Sequence, residues 1–430
     1  MAVGGGFGER VKVGQYVKWV DSQQFVLARV GAAAIERRTL AIDSATPIMA
    51  AVKLTRLVSF LLILLIGVSA IQLAAQPGNT KTENVDFFAY TKGEADKGDV
   101  PAQFILGQLY STGNGVPKDA AEAVKWFRKA AEQGYADSQW SLAVCYYTGT
   151  GVPKDSAEAL KWLRKAAEQG LGKAQCKLGE AFVRGEIVPK DNVEAVKWFR
   201  KAAEQGYADA QRRLGLMYAN GNGVSKDSAE AVKWFRKAAE QGDAGSQCRL
   251  GFMYAIGDGV PKDSAEGMKW FRKAAEQGDA GAQSSLGMIY ATGDGISKDT
   301  AEALKWLRKA AEQGDAGSQC HLGFMYATGD GVPKDNAEAV KWFRKAAKQG
   351  NDAAQHVLGL MYAEGKGVPK DAIEGLAWIN IAAASGVELF VADRDILESR
   401  LGTEATLAAQ QRSKQILKEI ESARPAAAAN

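Results

Sequence analysis

Soft metal ligands and nucleophiles are scarce in this chain. Two histidines, His321 and His356, and four cysteines, Cys145, Cys176, Cys248 and Cys320, are all that 430 residues provide. Cys320 and His321 are adjacent, and His356 follows Cys320 by 36 positions. Three such ligands could in principle hold zinc, but no CxxC or HxxxH spacing supports a cage, so surface polar residues and no metal are expected. Carboxylates recur instead. Asp227 and Glu230 stand for an Asp and a Glu found in nearly every stretch of similar sequence. An acid–base pair is needed once, whereas these repeat, so helix capping and solvation explain them. No nucleophile elbow, phosphate loop or dinucleotide fingerprint is present, and the Gly-x-Gly segments follow no strand. No cofactor and no catalytic residue are expected. Lys plus Arg number 54 against 50 Asp plus Glu, a net charge of +4, which gives no field to gather nucleic acid.

Cys176, Cys248 and Cys320 lie 72 residues apart, and this interval is twice a shorter one. Eight of the ten tryptophans stand at 126, 162, 198, 234, 270, 306, 342 and 378, each step being 36. The unit can be cut as 99–134, 135–170 and onward to 351–386, eight in all. In Tyr207 to Gly242, Ala210, Leu214, Met217 and Tyr218 fall at helical spacing and end at Gly221, a left-handed stop. A glycine loop leads to Asp227, an N-cap with Glu230 as reciprocal partner. Ala231, Val232, Trp234, Phe235, Ala238 and Ala239 then form one apolar face. Each unit therefore reads as helix A, a loop, helix B and a turn. A lone unit cannot bury that face, so units must stack. The expected fold is all-α: a right-handed α-solenoid of eight 36-residue helix-turn-helix repeats with terminal capping helices.

Gly215 sits in mid-helix, where Gly costs ~1 kcal/mol relative to Ala. It recurs at Gly107, Gly179, Gly251, Gly287, Gly323 and Gly359, with Ala143 as the exception. The reason expected is close approach of helix B through its tryptophan. Equivalent cysteines in alternate units lie two helix spacings of ~8–10 Å apart, beyond the ~7 Å between Cα atoms that a disulfide allows, so free thiols are expected.

The pattern LGxxYxxGxGVPKD followed by AEAVKWFRKAAEQG resembles the Sel-1-like repeat family, a relative of tetratricopeptide arrays. The resemblance covers all eight units, about two-thirds of the chain. It implies an adaptor that assembles protein complexes. Many bacterial members are exported, and some serve signalling, polysaccharide export or host contact. The third loop, Gly185-Glu186-Ile187, lacks the second glycine, which predicts a local change of loop shape without loss of fold.

The flanks carry other signals. Leu57 to Ala75 is an apolar run behind Lys53 and Arg56, and Met49 precedes them. From Met49 this is a secretory signal pattern, with cleavage boxes at Val68-Ser69-Ala70 or Ala74-Ala75. Residues 1–48 are then a gene-start artefact, or else a short cytoplasmic tail ahead of a signal anchor spanning residues 57–75. A buried core helix is the third reading, discounted for want of an apolar partner. The first two place the rest outside the cytoplasm, periplasmic or secreted, or tethered to the inner membrane. Residues 76–98 read as a linker and N-terminal cap, since Tyr90 precedes Trp126 by 36; residues 387–430 read as C-terminal capping helices and a tail.

Comparing units separates invariant positions from variable ones. The most variable pair follows the recurring Gln of helix A, and includes Phe104, Trp140, Lys177, Arg212, Arg213, Arg249, His321 and His356. If the A helices line an inner curve, this stripe is a partner-binding groove, aromatic first and basic in the middle, with Trp140 the leading hot-spot candidate. The expected function is a non-enzymatic scaffold or adaptor for another protein or peptide, acting outside the cytoplasm. The alternative is an envelope module that binds glycan or peptidoglycan by stacking sugars on Phe104 and Trp140. An enzyme acting on cell-wall peptide has no residue support.

Overall fold

The computed structural model describes residues 80–423. The apolar run, its cleavage boxes, residues 1–48 and the tail from Pro425 lie outside the described residues. Among the described residues every regular element is a helix, and no helix is long and apolar enough to cross a membrane. The chain divides into two bodies, one ending at Lys118 and the other beginning at Asp119.

The first body holds the helices Thr80–Asp96 and Val100–Thr112. Gln103 donates to the Ala95 carbonyl at 3.2 Å, and Phe88 meets Tyr110 edge-on at 5.8 Å. The same glutamine-to-carbonyl bond recurs in every later unit, so Thr80–Asp96 acts as the B helix before the first A helix. Tyr90, at the tryptophan position, is 53% exposed. A B-helix tryptophan buries itself partly against the preceding unit: Trp234 clusters with Val196 and Phe199 as well as with Ala210 and Leu214. The first described helix begins at Thr80.

In the second body, thirteen-residue helices alternate without interruption from Ala120–Glu132 to Asp352–Glu364. Each A helix packs against its own B helix and the B helix before it. The Asp caps explain where the B helices start. Asp227 accepts from the Glu230 N–H at 2.9 Å. The reciprocal half of the expected capping box is absent. The Asp227 N–H is taken by the Tyr218 carbonyl at 3.0 Å, and Glu230 turns to Lys233 and to the Trp234 indole N–H. Gly221 closes helix A at φ +71°, and Gly223 lies so close to the Asn192 carbonyl of the previous unit that a Cβ would come within 2.3 Å. Loop and neighbouring B helix thus interlock.

The mid-helix glycines face the residue after the tryptophan, phenylalanine at four of them, Leu307 at Gly287 and Ile379 at Gly359, which corrects the expected tryptophan. A Cβ on Gly215 would lie 2.9 Å from Phe235 Cδ1, and the same holds for Gly179 with Phe199, Gly251 with Phe271 and Gly323 with Phe343. These rings are fully buried and cannot retreat. In the unit that has Ala143, the phenylalanine is replaced by Leu163.

A buried polar ladder fixes register between units. Gln211 donates to the Ala203 carbonyl at 3.0 Å, and its own Oε1 accepts from Gln241 at 2.7 Å. The motif repeats at Gln139, Gln175, Gln247, Gln283 and Gln319. On the B face, Lys129, Lys165, Lys201, Lys237, Lys273, Lys309 and Lys345 each place an ammonium 3.8–4.5 Å from a tryptophan ring centre.

The last B helix, Ala372–Ala383, is covered by the helices Glu388–Leu401 and Thr403–Ala423. Ile416 and Ile420 join Trp378 in one cluster, and the Ser413 hydroxyl donates to the Ala377 carbonyl at 3.0 Å. The apolar segment around Trp378 is therefore buried by a cap.

Candidate functional site

The A helices place the variable pair differently from the simple expectation. Its first member falls in the seam between neighbouring units, so Cys176, Cys248, Cys320 and His356 are buried. His356 departs furthest from a partner-binding role. It is 5% exposed, bonds Asp393 Oδ2 at 2.8 Å, and stacks on Phe390 at 4.4 Å, all beneath the C-terminal cap. Arg212 and Arg213 are half-buried. Arg213 reaches Glu180 at 2.6 Å and Asp209 at 2.9 Å, and Arg212 pairs with Asp209 at 2.5 Å. The basic middle of the stripe is thereby neutralised from within. Lys177 is exposed and pairs with Glu180 at 2.6 Å. Arg249 is exposed with no ion pair to a described residue, and His321 is half-buried. Phe104 is half-buried in the first body; Trp140 is half-buried in the second, with the Lys173 ammonium 5.9 Å from its ring.

Cys176, Glu180 and Asp209 bring three ligand atoms within 4.8 Å of one another. Arg213 lies on both carboxylates and supplies the positive charge there. Burial first, then the Asp209 carboxylate, pushes the Cys176 thiol up to about 12. Burial also pushes Cys248 up to about 12 and Cys320 to about 11. Such thiols stay protonated and weakly nucleophilic at neutral pH. All four cysteines are unpaired.

The residues that the variable pair does not capture lie three or four positions further along. One step beyond the buried glycine, the A helices present Val144, Leu216, Phe252, Met288, Phe324 and Leu360. Phe252 is 43% exposed and Phe324 39%, each set edge-on against the phenylalanine of its B helix. The i+3 and i+4 rule applied to the variable pair would have found this stripe. In the third unit, Glu180 stands at the stripe position. Between the second and third A helices the stripe deepens into an open cleft of about 80 Å³, walled by Trp140, Val144 and Tyr147 and by Ile187 from the third loop. The unusual loop keeps its helix B start at Asn192, so the fold is unchanged there.

Sel1 repeats match eight consecutive windows, 100–135, 136–171, 172–207, 208–243, 244–279, 280–315, 316–351 and 352–387. The chain belongs to the Sel1 repeat family. A Sel1 repeat protein from Oxalobacter formigenes is 33% identical, with a TM-score of 0.57, over 75% of this chain and 95% of that one. A protective antigen of uropathogenic Escherichia coli with an SLR fold is 31% identical over 82% and 93% of the two chains, with a TM-score of 0.44. No curated protein matches the chain. Sel1 repeat arrays are in general scaffolds for protein interaction, and in this one Val144, Tyr147, Phe252, Ile256 and Phe324 are apolar side chains exposed on A helices.

Proposed function

We propose that this Sel1 repeat protein is an adaptor that holds another protein or peptide along its A-helix face, outside the cytoplasm. The observation that carries the reading is the apolar stripe of Val144, Leu216, Phe252, Met288, Phe324 and Leu360, in six of the eight units at one register, with Val144, Phe252 and Phe324 exposed and the other three half-buried. Apolar side chains open or half-open along so many units favour an extended, partly apolar partner over a small molecule. The recurrent carboxylates favour a binding role over catalysis: each B-helix Asp caps a helix, and the following Glu binds Lys or Trp in most units. Support for export comes from the signal pattern at Leu57–Ala75.

A photo-crosslinking residue placed at Phe252 or Phe324 of the full chain in its own cell tests the face, with Lys237 on the B face as control. Adducts with one defined protein from the A positions alone agree with the reading. Adducts equally from both faces, or from neither, refute it. The N-terminus of the mature protein tests export: a start near Ile71 or Gln76 in an exported fraction agrees, and an intact chain in the soluble cytoplasm refutes it.

A further inference from the structure

The A helix of the fifth unit, Ala244–Ile256, departs from its neighbours along one face. Arg249, Phe252 and Ile256 stand there at i, i+3 and i+7, so they line one side of the helix over ~10 Å. Ile256 is 70% exposed, more than any other large apolar side chain among the described residues. Every other unit has a polar residue at that position, threonine in four of them. Phe252 is held edge-on against the buried Phe271 at 4.9 Å, so its outward edge is presented in a fixed pose.

The cation on this face has lost the partners that its equivalents keep. In the fourth unit Arg213 bonds Asp209, four residues before it, at 2.9 Å, and Glu180 of the preceding A helix at 2.6 Å. In the third unit Lys177 pairs with Glu180, three residues after it, at 2.6 Å. The same three places around Arg249 hold Gly245, Leu216 and Phe252. The cation is retained while each carboxylate that would answer it is gone, and Arg249 is exposed with no ion pair to a described residue. The neighbouring acids are engaged or remote. Asp243 accepts from the Ser246 N–H at 2.7 Å and lies 3.6 Å from Arg212, and Asp279 accepts from the Ala282 N–H at 2.8 Å. Asp258 lies past Ile256, at the other end of the helix. An unpaired guanidinium one turn from an open aromatic edge complements a carboxylate set close to apolar groups.

We infer that the Arg249–Phe252–Ile256 face is the specificity contact of the A-helix surface, and that it takes a peptide segment in which an Asp or Glu lies about three residues from a large apolar side chain. The carboxylate meets the Arg249 guanidinium, and the apolar side chain covers Ile256 and the edge of Phe252. The spacing follows from the face: ~10 Å along the helix is spanned by about three residues of extended chain at ~3.3 Å each. The inference rests on the adaptor reading and adds the place and the chemistry that sort one partner from another.

The test selects random short peptides displayed on phage against the full chain, in parallel with Arg249→Glu and Ile256→Thr. Peptides selected by the parent chain are expected to carry Asp or Glu about three residues from Phe, Leu, Ile or Trp. Arg249→Glu should turn the acidic preference into one for Lys or Arg and keep the apolar one. Ile256→Thr should weaken the best peptide at least ~10-fold, read by fluorescence anisotropy. That substitution supplies the residue four other units carry, and Arg249 has no ion pair with a described residue to lose, so both variants keep the fold, which circular dichroism verifies. No enrichment, enriched peptides without an acid, or an unchanged acidic preference in Arg249→Glu overturns the inference. Binding that survives both substitutions but is lost in Leu216→Asp with Phe324→Asp overturns this location and leaves the adaptor reading standing.

Discussion

Gln211→Met tests whether the glutamine ladder holds neighbouring units together. Met is unbranched and similar in length, so it fills the space without a cavity. Two bonds disappear. The one to the Ala203 carbonyl, at 3.0 Å and buried, is worth about 1 kcal/mol net. The one from Gln241, at 2.7 Å and part-buried, adds roughly half as much. Neither partner is orphaned, since the Ala203 carbonyl still accepts the Gly206 N–H at 3.0 Å and Gln241 can still reach the Lys237 carbonyl at 3.3 Å. The larger penalty for a stranded buried group is therefore avoided, and the loss should be about 1.5 kcal/mol. Gln355→Met is the internal control. Its unit has Ser385 in place of the second glutamine, and that hydroxyl bonds the Ala382 carbonyl, so only the bond to Ala347 is lost, about 1 kcal/mol. Urea unfolding followed by circular dichroism reads both as midpoint shifts at unchanged slope. A Gln211→Met chain as stable as the parent, or a Gln355→Met chain that loses more, would refute the argument.

Other outcomes follow from the same contacts. Gly251→Ala gains ~1 kcal/mol of helix propensity but forces a Cβ to 2.8 Å from the buried Phe271 ring, an overpacking cost of ~1–3 kcal/mol, so its unfolding midpoint should fall. Cys176, Cys248 and Cys320 should resist alkylation at pH 8 in the folded chain and react on addition of urea; rapid labelling of the native protein contradicts their burial. Burial alone would raise the Asp209 carboxyl, but bonds and charge from Arg213, with help from Cys176 and Arg212, hold it below its usual 3.8. A depressed carboxylate stabilises the fold above its unfolded pKa and loses that contribution as pH falls through the folded value. Amide protection at the junction of units three and four, measured against intrinsic exchange rates, should therefore fall below about pH 4, less so in Asp209→Asn. Asp393→Asn should weaken the hold on His356 and speed exchange in Glu388–Leu401, without altering the middle units.

The repeat, the helix boundaries and the cap were legible because they depend on local spacing. The tryptophan period, Gly221 as a stop and Asp227 as a cap each use one or two neighbouring residues. What escaped depends on a second unit. Sequence comparison marks Cys176 and His356 as variable, and variability reads as exposure, yet stacking puts both in a seam. The glycine contact was assigned to the wrong aromatic because Trp234 and Phe235 are adjacent, and only the crossing of the helices decides which ring faces Gly215. The capping box failed because the Tyr218 carbonyl reaches the Asp227 N–H first. The apolar stripe lies one helical turn beyond the variable pair, at Phe252 and its equivalents, where variability between units gives no signal.

The lysine that stacks on tryptophan in seven units is Ile381 in the eighth, and the glutamine that would continue the ladder is Ser385. The inner junctions from the second unit onward share the glutamine ladder, whereas this one is altered to accept a lid. An inner unit duplicated by recombination would find a matching neighbour on both sides and lengthen the array by one step. A duplicated eighth unit would strand an apolar face inside the stack. The array can therefore change its reach in evolution by whole units from within, while its end stays fixed.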